Sequence, residues 1–235
     1  MANGHTFSLF YAVQGALDSY KRFSAAREVL IKSSNRWLWD QYYILPHINR
    51  GKMDLIFNPK LSLPLMASCK TVFTMHGLEQ FAAPWVYKPL DRLYFSMTMP
   101  LYCRKADAIL VMSETGKRDL QVFLKADESK IHVIPESYNE SCAVIGDWDL
   151  LEKVRKKYHL PHRFVLFIGG ITPLKNIPTL LRAFASLKQQ GFRHKLVLAG
   201  FRRWKFEKDL ALIEQLHLEK EVLEIGFIDD QDVAA

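Results

Sequence analysis

The residues of this chain best suited to chemistry lie between Phe164 and Asn176, FVLFIGGITPLKN. An apolar run meets Gly169 and Gly170, and a short loop carries Lys175 to the start of a helical pattern. Glycines let main-chain N–H groups approach an anion closely, a helix N-terminus favours negative charge, and Lys175 adds a full positive charge. The segment reads as a strand, a tight turn and a helix start that together form a diphosphate cradle. A buried parallel strand ending in Gly-Gly is also common in α/β proteins that bind nothing there.

Such a loop needs a sheet to position it, and the chain supplies alternating strand-like and helix-like runs. Thr6–Val13, Asp54–Phe57, Thr71–Met75, Ala108–Met112 and Ile131–Ile134 read as strands. Asp18–Ser33 and Glu114–Leu124 read as helices, the second with Ser113 as its N-cap. The pattern lapses after Pro135, and a charged helix, Trp148–Tyr158, leads to Leu160-Pro161. A second series follows: strand Phe164–Gly169, helix Ile177–Gln190, strand Lys195–Gly200, helix Lys205–Leu216, strand Val222–Phe227, and a helix from Asp229. These βαβ units predict an α/β fold of two parallel-sheet, Rossmann-like lobes. The expected division is a first lobe over 1–147, a linker helix over 148–161 and a second lobe over 162–235. Three strands in the second series, and no glycine-rich loop before Thr6, predict that both lobes are parts of larger ones.

Of the 235 residues, 49% are apolar, enough for real cores, and the net charge of +7 points to an anionic partner. Nucleotide diphosphates and anionic membranes fit that charge as well as nucleic acid does; no nucleic-acid recognition motif is visible, so no nucleic-acid partner is expected. Cys69, Cys103 and Cys142 are too scattered for a disulfide framework or a metal knuckle, which makes a reducing cytoplasm the default. No basic n-region precedes the first apolar stretch and no run of about eighteen apolar residues occurs, so neither a signal peptide nor a spanning helix is expected.

Several motifs then agree in order. They are Arg36-Trp37-Leu38-Trp39-Asp40-Gln41 with Leu45-Pro46, Asp54 to Pro59, Val72 to Leu78, and Lys105 to Glu114. Val133-Ile134-Pro135-Glu136, Gly169 to Asn176, and Leu196 to Gly200 with Trp204 complete the series. From about Trp37 to Ala235 the chain resembles the retaining glycosyltransferases of family four, in their mannosyltransferase-like branch. That resemblance implies the two-lobe GT-B fold and transfer of a hexosyl, mannosyl-like group from a GDP- or UDP-linked donor to a saccharide or lipid-linked acceptor. It implies no cofactor and no metal, because Lys175 and main-chain donors take the cation's role and no acidic metal-binding pair is apparent. The rival reading is a catalytically inactive fragment or nucleotide-binding module of the same fold.

Residue by residue, the resemblance places the donor between the lobes. His76, after a buried strand and before Gly77, matches the histidine that faces the donor sugar; a lone loop histidine is otherwise a structural hydrogen-bonder. Lys175 matches the basic residue that neutralises the leaving diphosphate, although Leu174 stands where relatives often carry arginine. Gly200 with Arg202 and Arg203 matches a glycine and basic loop; the missing arginine weakens the expected phosphate clamp unless Arg202 or Arg203 substitutes, and an exposed basic helix start is the alternative. Gly226 either approaches the base or is a turn residue, and Ser113 and Glu114 lie either at the cleft or at a helix cap. The usual carboxylates of the donor ribose and sugar are not found up to Ala235, so the chain alone is expected to be silent. The mix of Trp85, Tyr87, Tyr94, Phe95 and Tyr102 with Lys88, Arg92 and Arg104 raises peripheral contact with the inner face of a membrane, against an ordinary sheet-covering helix.

Overall fold

The computed structural model describes residues 4–14, 26–138, 143–202 and 207–234. Contacts gather into two units, Met1–Glu136 and Ser137–Ala235.

In the first unit, β1 (Phe7–Tyr11) pairs in parallel with β2 (Ala26–Leu30). Next comes a short helix α1 (Arg36–Leu38), which runs into a π-helical turn at Trp39–Tyr43, and α2 (Leu45–Arg50). The main sheet has the parallel order β3 (Leu55–Asn58), β4 (Lys70–Met75), β5 (Ala108–Val111) and β6 (Ile131–Val133). Between β4 and β5 lie α3 (Glu79–Ala82) and α4 (Pro89–Lys105), and α5 (Glu114–Leu124) joins β5 to β6. Phe73 and Met75 of β4, Ile109 and Val111 of β5, Met99 and Tyr102 of α4, and Leu120 of α5 are buried in one core. Each such side chain contributes about 1.5–3 kcal/mol of transfer free energy, which fixes the helices on the sheet.

The expected helix over Asp18–Ser33 is not observed at its C-terminal end, where Ala26–Leu30 is strand β2. Ala26, Val29 and Leu30 have helical spacing, yet five consecutive residues pair with β1 from Phe7↔Ala26 to Tyr11↔Leu30, and the Ile31 N–H donates to the Tyr11 carbonyl at 2.8 Å. Main-chain pairing with a distant strand overrides a short local periodicity. Residues 18–25 lie outside the described residues.

The second unit holds α6 (Trp148–Lys157), then the parallel sheet β7 (Phe164–Ile168), β8 (Lys195–Ala199) and β9 (Val222–Gly226). The crossovers are α7 (Ile177–Gln189) and α8 (Glu207–Gln215). Val165 and Phe167 of β7 and Leu196 and Leu198 of β8 pack with Ile177, Leu181 and Phe184 of α7. Asp147 caps α6 by accepting from the Asp149 and Leu150 N–H groups. The helix expected from Asp229 is one 3₁₀ turn, Asp230–Asp232. Its carboxylates are drawn to α6, where Lys157 Nζ lies 2.6 Å from Asp229 and 2.5 Å from Asp232 and Tyr158 Oη donates to Asp232 at 2.8 Å. These bonds raise the Lys157 pKa above its ordinary value.

Candidate functional site

Both main sheets are parallel, so the loops that follow their strands gather at the C-terminal edges, where open α/β sheets bind ligands. In the second unit Gly169 follows β7, Gly200 follows β8 and Gly226 ends β9. The two loops are laced together past the strands: the Gly169 N–H donates to the Ala199 carbonyl at 2.8 Å, the Ile171 N–H to Phe201 at 3.0 Å, and the Gly200 N–H to Gly226 at 2.6 Å. A Cβ on Gly200 would lie 2.1 Å from the Gly169 oxygen, so only glycine lets these backbones meet.

Lys175 closes a 3₁₀ turn, Pro173–Lys175, and Asn176 in the left-handed region turns the chain into α7. Its side chain lies back over the loop: a Cβ on Gly169 would be 4.0 Å from Lys175 Cε. The first turn of α7 has no acidic residue and no side-chain cap, so neither offsets its positive end. Gly169, Gly170, Gly200, Phe201, Phe227 and Asp230 line a cavity of about 210 Å³. That is smaller than the roughly 300–1,000 Å³ of ordinary ligand pockets, and Lys175 is not part of its lining. Phe201 and Phe227 stack at its rim, with ring centroids 5.1 Å apart.

Arg202 sits opposite Ile171, and its guanidinium grips Glu224 through Nε at 3.1 Å and Nη2 at 3.2 Å. That bidentate pair offsets the positive charge that sequence reasoning assigned to this loop. Glu224 was missed because an acid two positions before the end of an edge strand carries no signal of its own. Arg203 lies outside the described residues.

In the first unit His76 follows β4, Ser113 and Glu114 follow β5, and Glu136 comes after β6, all along one sheet edge. The His76 Nε2 atom lies 2.7 Å from the Pro59 carbonyl oxygen, which can only accept, so Nε2 carries a hydrogen. Nδ1 lies 3.4 Å from Glu136 Oε1. Both ring nitrogens therefore have local oxygen partners, a pairing invisible in sequence because Pro59 and Glu136 are far from His76 along the chain. Ser113 is an N-cap, accepting from the Gly116 N–H at 3.1 Å, and Glu114 is exposed in the first turn of α5.

A second cavity in this unit, of about 610 Å³, is lined by Asn35, Arg36, Trp37, Ser62, Tyr94 and Phe95, among others. The adjoining Asp40 is buried, with Arg36 Nε 3.8 Å from its Oδ2. Burial pushes its carboxyl pKa up, against the opposing effects of a Ser62 hydrogen bond and the Arg36 charge. Aromatic walls with amide, hydroxyl and guanidinium groups can take the two faces of a sugar ring.

Comparison with known proteins agrees with this geometry. The chain is 26% identical over 197 residues to O-antigen chain mannosyltransferase B of Escherichia coli, covering 78% of this chain and 49% of that protein. It is 34% identical over 175 residues to a Campylobacter jejuni N-acetylgalactosaminyltransferase named for a diphospho-undecaprenol acceptor, covering 74% and 42%. The chain thus spans about half the length of the curated relatives it matches. The solved structure of Anabaena HepE with UDP-glucose superposes with a TM-score of 0.67 at 17% identity, over 97% of this chain and 62% of that one, which places the fold in the two-lobe GT-B class. The profile described as "Glycosyl transferases group 1" matches residues 151–235. The profile described as "Glycosyltransferase Family 4" matches residues 1–140, more than half of the chain, and the chain belongs to that family.

Proposed function

We propose that this chain carries the donor and acceptor machinery of a retaining glycosyltransferase that moves a mannosyl-like group from a nucleotide sugar to a saccharide or lipid-linked acceptor. The observation that carries the reading is the convergence of Gly169, Gly200 and the Lys175 side chain before the open N-terminus of α7. The Lys175 ammonium and the positive end of α7 there suit the diphosphate of a GDP- or UDP-linked sugar, with no resident metal assigned. In the step, the bond from the anomeric carbon to the phosphate oxygen breaks and the bond to the acceptor oxygen forms on the same face. The acceptor's proton passes to the leaving phosphate. Charge grows on that phosphate as the bond breaks, so the Lys175 ammonium stabilises the transition state more than the ground state. His76 is assigned to the donor sugar and the 610 Å³ cavity of the first unit to the acceptor saccharide. The names of the Escherichia coli and Campylobacter jejuni relatives support mannosyl-like transfer and a lipid-linked acceptor respectively.

A second reading, a catalytically inactive nucleotide-binding module, is favoured by Leu174 at the usual arginine position and by the engagement of Arg202 with Glu224. Calorimetry with UDP and GDP, followed by a donor panel, separates the two. Lys175→Ala is expected to weaken nucleotide diphosphate binding to this chain at least tenfold with the melting temperature unchanged, and to lower turnover about a hundredfold in a full-length enzyme that carries the complete second lobe. Nucleotide affinity equal to that of the unaltered chain would overturn the cradle; binding without transfer would select the module.

A further inference from the structure

The 610 Å³ cavity of the first unit has a wall whose polar side chains are unevenly spent. The acceptors are largely used within the protein. Asn35 Oδ1 accepts from the Leu38 N–H at 3.0 Å, and that cap bond fixes which end of the amide is oxygen. The buried Ser62 hydroxyl accepts from Asn58 Nδ2 at 2.9 Å and donates to the Asp40 carboxylate. The donors are left over. Asn35 Nδ2 and both Nη groups of Arg36 have no partner among the described residues, because Arg36 meets Asp40 through Nε alone, at 3.8 Å.

The frame around these donors is built from buried polar groups. Asp40, 5% exposed, joins Arg36 and Ser62 from two separate segments. Gln41, also buried, donates to the Leu63 carbonyl at 2.7 Å and accepts from the Leu65 N–H at 3.0 Å. The π-helical turn that carries Asp40 and Gln41 thus holds the Leu61-Ser62 wall against the Asn35-Arg36-Trp37 wall.

We propose that this cavity takes a saccharide that carries an oxyanion, a carboxylate or a phosphate, and that Arg36 and Asn35 select it. The inference rests on the assignment of the cavity to the acceptor saccharide. An oxyanion offers only acceptors, which is what a wall with spare donors lacks; a neutral sugar brings a hydrogen with every hydroxyl and finds few acceptors to receive them. The two Nη groups of a guanidinium suit two oxygens of one carboxylate or phosphate. Trp37 and Phe95 supply apolar walls for the ring. The Asp40 carboxylate takes back part of the positive charge and the Arg36 side chain is 61% exposed, so the preference is set at about fivefold, not a hundredfold.

The test is ligand-observed NMR titration of the whole chain, without nucleotide, with methyl α-glucoside, methyl α-glucuronide and glucose 1-phosphate. At least one charged sugar is expected to bind about fivefold or more tightly than the neutral one, with the difference shrinking as salt rises. Whichever charged sugar binds tighter names the group as carboxylate or phosphate. Arg36→Gln is expected to remove the difference. Asn35→Asp keeps an equally good N-cap but puts an anionic oxygen where the Nδ2 donor stood, so it is expected to abolish the preference with circular dichroism unchanged, whereas a purely capping role predicts no change. Trp37→Ala is expected to weaken all three sugars alike. Equal binding of neutral and charged sugars, a preference that survives Arg36→Gln, or inorganic phosphate competing as well as the charged sugars, overturns the proposal and leaves the saccharide assignment standing. Failure of all three sugars to bind overturns both.

Discussion

A Cβ on Gly200 would lie 2.1 Å from the oxygen and 2.6 Å from the carbonyl carbon of Gly169, and the residue's φ is +140°. Both features exclude a side chain, and the obstructing atoms are backbone that cannot swing aside. Gly226, at φ +70°, has open space where its Cβ would go. Gly200→Ala is therefore expected to cost about 3 kcal/mol or more, because the loops after β7 and β8 must separate, while Gly226→Ala costs only about 1 kcal/mol of left-handed strain. Urea unfolding of the two variants checks the order, and equal losses would contradict the close approach. The glycines were legible in sequence because only one residue type serves such a contact. The partners of His76 and Arg202 were not, since Pro59, Glu136 and Glu224 become neighbours only through the sheet registers.

The strands and crossovers of both series were legible because buried parallel strands leave unbroken apolar runs. β2 and the outer face of α4 were not: a five-residue strand can share a helix's spacing, and α4, with Leu93, Met97 and Leu101 exposed opposite buried Met99 and Cys103, has no periodic contrast with which to announce an exposed face. At this scale one polar contact joins two strands. Asp107 accepts from Lys70 Nζ and from the Thr71 N–H, each at 2.8 Å, tying the start of β4 to the approach to β5. The Lys70 hydrogen bond is foremost in holding its carboxyl at about 2, below the ordinary 3.8. A depressed folded-state pKa adds stability above the unfolded value and loses it as pH falls from about 3.8 through about 2. The Asp107 side chain is 36% exposed, so solvent screening cuts the contribution. Asp107→Asn is expected to cost about 1 kcal/mol at neutral pH and almost nothing near pH 2, read from urea midpoints at both. A deficit that persists undiminished at the lower pH would assign the effect to packing instead.

Over the whole molecule, what remains uncovered decides how it behaves in solution. β7 has a ladder partner on one side only, β8, so among the described residues its other edge is unpaired. Leu166 and Ile168 on that strand are 42% and 49% exposed, whereas Val197, level with Leu166 on β8, is fully buried. The side chains of Leu166, Val197 and Leu223 stand level across the sheet, so the exposure is confined to the β7 end of that face. An unpaired strand with apolar side chains templates pairing with another chain, and a charge placed on it blocks that pairing by demanding water. Dynamic light scattering is expected to show concentration-dependent association of the purified chain. Leu166→Lys is expected to suppress it with no loss of melting temperature, because that side chain is outside the core that binds β7 to α7. Leu93→Gln/Met97→Gln/Leu101→Gln, on the exposed face of α4, is expected to leave this association in place. Association abolished by that α4 variant and untouched by Leu166→Lys would move self-contact to the helix; a monomer at every concentration would show that the net charge of +7 is sufficient to keep the open edge apart.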